Sequence, residues 1–167
     1  GLYSMAMGYN VKATGQYAVS IGSVNNASGL NATALGDGST ASGDFSTSMG
    51  HYTAASGNYS TSMGALTAAS GYGSTSMGVL TIASGGYSTS MGRETTASYA
   101  YCTSMGYGTT ASGYNCTSMG FGTTASGFIS TSMGANTIAK SNYSLVIGPT
   151  AVQTPTNTSS THTHIYT

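Results

Sequence analysis

The sequence predicts an all-β chain wound as a parallel β-roll, a flat solenoid with fourteen-residue coils and two short strands per coil. Three observations carry this. Glycine recurs every fourteen residues at Gly8, Gly22, Gly36, Gly50, Gly64, Gly78, Gly92, Gly106, Gly120, Gly134 and Gly148, with no turn missed. A second glycine stands seven residues on, at Gly15, Gly29, Gly43, Gly57, Gly71, Gly85, Gly113 and Gly127, and fails only at Tyr99 and Ser141. The residue before each main glycine is large and apolar throughout: Met7, Ile21, Leu35, Met49, Met63, Met77, Met91, Met105, Met119, Met133 and Ile147.

The first strand of a coil follows from the columns. Two residues before each large apolar residue stands Met5, Val19, Thr33, Thr47 and then threonine to Thr131, with Leu145 last. Side chains alternate along a strand, so these two columns share a face. The other face is uniformly small, as at Ser60 and Ser62, Ala18 and Ser20, or Cys102 and Ser104.

The second strand alternates too. An alanine column runs from Ala13 through Ala69 to Ala139, and Thr53, Thr67, Thr81, Thr95, Thr109, Thr123 and Thr137 share its face. The position between accepts Lys12, Asn26, Thr40, Ala54, Ile82 and Thr96, so it faces solvent. Seven residues cannot hold a helix and a strand, but they can hold a strand of about five residues and a tight bend. Gly50, Gly57, Gly64, Gly71, Gly78 and Gly85 are assigned to the bends, where a β-carbon would be forbidden. Coils stacked about 4.8 Å apart give a rod roughly 50 Å long.

Both faces of the first strand are restricted, but only one face of the second. One thin coil filled by small residues buries little surface. A homo-oligomer in which the first strands face a common axis supplies the missing burial. The Met/Thr face then points at the axis, with alanine and serine inside the roll. The alternative is a monomeric solenoid with methionine in its core. Residues 1–149 form the roll. After Pro149 the register is lost, and residues 150–167 are a Thr-rich tail or connector.

Composition narrows the function. The chain has 167 residues, three basic and three acidic side chains and a formal net charge of zero. No basic patch follows a phosphate backbone, which argues against nucleic acid. No apolar run is long enough to insert in a membrane as a helix, and no signal peptide is visible. The strict period argues against a Gly/Ser/Thr linker.

No catalytic set is credible. The acids are Asp37, Asp44 and Glu94, at or near bends, with no phosphate loop and no ordered Ser/His/Asp set. No cofactor is expected. His162 and His164 form a His-x-His pair that three chains around an axis could offer to a metal, although the plain reading is a tail that contains histidine. His51 stands alone at a bend. Cys102 and Cys116, fourteen apart, fall in one column on adjacent coils; a disulfide is conceivable, but directly stacked parallel residues seldom have its geometry, and the pair reads as buried free thiols. Six Asn-x-Ser/Thr sequons, beginning at Asn26, Asn31, Asn58, Asn115, Asn142 and Asn157, are expected by chance in so Ser/Thr-rich a chain. Aromatic residues recur before the first strand (Tyr3, Tyr17, Phe45, Tyr59, Tyr87, Tyr101, Tyr143) and at bends (Tyr9, Tyr72, Tyr107, Tyr114, Phe121, Phe128), for the larger share as packing against neighbouring turns and otherwise as a contact surface for glycan or protein.

Ala18-Val19-Ser20-Ile21-Gly22, Ala32-Thr33-Ala34-Leu35-Gly36 and Ser144-Leu145-Val146-Ile147-Gly148 resemble the paired motifs of the YadA-like head repeats of trimeric autotransporter adhesins. Related rolls occur in phage and viral tail fibres. The resemblance covers residues 1 to about 149, although most coils replace the apolar pair by Thr-Ser-Met. It implies a left-handed, homotrimeric roll in a structural or adhesive fibre, extracellular on a cell or virion surface. A second expectation is a filament joined end to end through open solenoid edges. A third, ice binding by threonine ladders, is weakened by Ala54, Ala68, Ile82 and Ile138 in the outward column.

Overall fold

A computed structural model describes residues 1–150, 152 and 153. Eleven five-residue strands, from β1 (Met5–Tyr9) to β21 (Leu145–Pro149), alternate with two-residue strands, from β2 (Lys12–Ala13) to β22 (Val152–Gln153). Odd-numbered strands form one eleven-stranded parallel sheet and even-numbered strands another. Every pairing is offset by fourteen residues, as in Thr61↔Thr75 and Met63↔Met77 between β9 (Thr61–Ala65) and β11 (Thr75–Val79). The offset continues past Pro149, where Val152 pairs with Ile138. The chain is therefore an all-β parallel solenoid with no helix among the described residues.

The core is the thin space between the two sheets. Ala27, Ala41, Ala55, Ala69, Ala83 and their successors to Ala139 are fully buried from the short-strand side. Ser48, Ser62, Ser76 and Ser90 are fully buried from the long-strand side. Such small residues let the sheets approach closely, and they leave a polar interior that must be satisfied.

The threonine column does this. Ser62 Oγ lies 2.7 Å from Thr67 Oγ1 and Ser48 Oγ 2.8 Å from Thr53 Oγ1. The same bond recurs at Ser76–Thr81, Ser90–Thr95, Ser104–Thr109, Ser118–Thr123 and Ser132–Thr137. Where asparagine takes the threonine position, Asn25 Nδ2 donates to the carbonyls of Ile21 and Gly36, each at 2.8 Å, and Oδ1 accepts from Ser39 N at 2.8 Å.

A pair of serines tests this account. Ser62→Ala orphans the Thr67 hydroxyl and is expected to cost about 1–3 kcal/mol. Ser60→Ala removes a hydroxyl with no partner and is expected to be neutral or slightly stabilising. Denaturant midpoints of the two variants check both. Equal losses would mean that the interior responds to volume and not to hydrogen bonding.

The bends differ from the sequence expectation. Gly50, Gly64 and Gly78 are the fourth residues of long strands, with φ of +130°, +119° and +124°. Gly57, Gly71 and Gly85 open the turns between coils, where a β-carbon would fall on the next coil's backbone carbonyl. The left-handed bend positions are mostly not glycine. One column holds Val24, Tyr52, Leu66, Leu80 and Glu94, with φ between 50° and 57°. The other holds Tyr17, Phe45, Tyr59, Tyr87 and Ile129, with φ between 50° and 60°. The stacking imposes this conformation. Leu66 N donates to the His51 carbonyl at 2.9 Å and Tyr59 N to the Asp44 carbonyl at 2.8 Å, so each bend is tied to the coil before it.

Candidate functional site

The candidate functional surfaces are the outer faces of the roll. In the long-strand sheet Thr61 and Met63 point away from the buried Ser62. Met7, Met77 and Ile147 are 58%, 36% and 53% exposed. Ile21, Leu35, Met49, Met63, Met91, Met105, Met119 and Met133 are half-buried by their neighbours in the column. None of the eleven is buried in the roll interior, which Ser62 and its column-mates fill. With the threonine column beside it, this is an uncharged strip running the length of the sheet.

The variable fifth residue of the long strands places Asp37, His51 and Arg93 at one edge of that strip. His51 Nε2 stands 3.6 Å from Asp37 Oδ2 on the adjacent coil, and its ring meets Tyr52 edge-on at 4.4 Å. Arg93 bonds Glu94 at 3.1 Å and lies 5.6 Å from the centre of the Tyr107 ring on the next coil. The sequence reading left His51 alone. The fourteen-residue separation from Asp37 was the available signal.

The opposite edge is aromatic. Phe45, Tyr59, Tyr72, Tyr87, Tyr101, Tyr114, Phe128 and Tyr143 form one unbroken ladder, with ring centres 5.2–5.6 Å apart. All eight rings are exposed. Where the left-handed turn position holds Gly73, Asn115 or Ile129, the preceding residue, Tyr72, Tyr114 or Phe128, supplies the ring. Two sequence columns thus merge into one structural one.

Cys102 and Cys116 are buried free thiols whose sulfurs are 3.2 Å apart. His162 and His164 lie outside the described residues. Among the described residues no group of three or more His, Cys, Asp or Glu is gathered to hold a metal. No helix among them is long and apolar enough to cross a membrane.

The profile of the YadA head domain repeat matches residues 1–25, 27–53, 41–67, 55–81 and 69–95, more than half of the chain. The last four matches start fourteen residues apart, one coil at a time. The chain belongs to the YadA head repeat family. No curated protein matches it. Membership of this family implies a structural and adhesive role with surface exposure outside the cell, and the stacked coils agree with it.

Proposed function

We propose that this YadA head-type chain is a non-enzymatic segment of a structural or adhesive fibre, a left-handed homotrimeric β-roll rod on a cell or virion surface. The observation that carries the reading is the uncharged Met/Thr strip outside the roll. A roll filled by alanine, serine and threonine gains little from its own interior, and an axis shared by three such strips buries the apolar surface that the single chain leaves open. The roll begins at residue 1 and its ladder runs on past residue 149 to Val152 and Gln153, and the Thr-rich remainder to residue 167 is the connector.

In this reading the aromatic ladder is the surface for contact with a host glycan or protein, since tyrosine combines an apolar ring with a polar tip. The pair His162 and His164 is the candidate for a metal shared by three tails.

Sedimentation velocity tests the assembly. The expected mass is three times the 16.6 kDa chain. A stable particle of 16.6 kDa would overturn the proposal. Negative-stain micrographs are expected to show discrete rods; long filaments would favour end-to-end assembly through the solenoid edges instead.

A further inference from the structure

We propose that Cys102 and Cys116 are a peroxide-driven, reversible disulfide staple between two adjacent coils. The pair stands apart from the fibre reading and does not depend on it. Each thiol is 1% exposed. They occupy the interior column that serine fills at Ser46, Ser60, Ser74, Ser88 and Ser130. The flanking strands are in register, with Thr103 opposite Thr117. Parallel neighbours stand about 4.8 Å apart, inside the Cα separation that disulfides span. The sulfurs, now at 3.2 Å, must close by only about 1 Å to reach bonding length.

The location gives the staple a purpose. Tyr99, three residues before Cys102, breaks the second glycine column. A β-carbon at Gly85 would meet the backbone of Tyr99 more tightly than any glycine of that column meets its neighbour. The coil carrying Tyr99 thus lacks its second glycine, and the cysteine pair would tie it to the coil that follows.

The surroundings hold the two sulfurs against each other. Cys102 Sγ and Cys116 Sγ lie 2.7 Å and 3.0 Å from the Gly113 carbonyl, and each is within reach of the other. The hydrogen bond from Cys116 lowers Cys102 from the ordinary thiol value, against the opposing effect of burial. Cys116 is raised by the same bond and by burial, so it keeps its proton. The two titrate as a coupled pair.

Two steps follow, with hydrogen peroxide as the oxidant. The Cys102 thiolate attacks one peroxide oxygen; the S–O bond forms, the O–O bond breaks and hydroxide leaves. Cys116 sulfur then attacks the Cys102 sulfenic acid. The S–S bond forms, the S–O bond breaks, and the departing hydroxide takes the Cys116 proton as water. In sum, two thiols and one peroxide give one disulfide and two waters.

The test counts thiols in the intact chain after unfolding in denaturant. Before peroxide two are expected; after it none, with both recovered by dithiothreitol and the chain running as a single chain on a non-reducing denaturing gel. Methionine oxidation does not confuse this count, because dithiothreitol leaves the sulfoxide in place. Amide exchange in the joined coils is expected to slow by about a hundredfold in the oxidised form. Cys116→Ser and Cys102→Ser both keep the column's usual residue and so keep the fold. Cys116→Ser is expected to stop at a Cys102 sulfenic acid that dimedone traps when added with the denaturant, and Cys102→Ser to give less of that label. Two thiols surviving peroxide, thiols lost beyond the reach of reductant, or a bond between separate chains would each overturn the proposal.

Discussion

Gly64→Ala is expected to lower the stability of the roll by about 4 kcal/mol, from backbone strain and overpacking together. Gly64 lies inside a long strand at φ +119°, outside the left-handed well that other residues can enter. Its added β-carbon would fall on the carbonyl of Gly78 in the next coil. That carbonyl belongs to the parallel ladder, so relief would require the coils to separate and lose pairing. Gly108→Leu is the contrasting change. Gly108 has φ +62°, nothing lies within 4 Å of its notional β-carbon, and Leu66 and Leu80 occupy the same column. Its expected cost is about 1 kcal/mol or less. Denaturant unfolding of the two variants measures the difference, and hydrogen exchange should place the Gly64→Ala loss in the coils on either side. Equal losses would mean that the glycines of the strand column answer to composition and not to a fixed clash.

The contrast also separates what could be read in the sequence from what could not. The period, the number of long strands and the interior of the roll were legible because alternation is strict. Ser62 and Ala69 had to face inward if Met63 and Ala68 faced outward, and they do. The bends were not legible. Leu66, Val24 and Glu94 carry no turn signature, and their left-handed conformation comes from the coils stacked against them. The sequence therefore assigned the bends to glycine, while Gly50, Gly64 and Gly78 serve the strand. The aromatic edge was half legible. Tyr59 and Tyr87 share a column, but Tyr72 sits one residue early and joins them only in space. The same holds for His51 and Asp37, which a reading by local motif leaves apart and a reading by column brings together.

Lysine at Met63, Met77 and Met91 together is expected to reduce the assembly to single chains. The three side chains lie on consecutive coils of the uncharged strip, outside the roll. Each methionine that completes its burial in an oligomer contributes roughly 1 kcal/mol, because its own column already covers about half of it. Nine such side chains in a trimer would make this a large share of the association energy. Nine ammonium groups gathered around one axis would replace it with desolvation and mutual repulsion, each several times larger than the apolar gain lost. Ile82→Lys is the control: it is exposed on the short-strand sheet, in the column where Lys12 already stands. Sedimentation should give three chains for Ile82→Lys and one for the triple variant. The strand signal in circular dichroism then tells whether the released chain stays rolled. An unchanged mass in the triple variant would remove the Met/Thr strip from the interface and with it the observation on which the fibre reading rests.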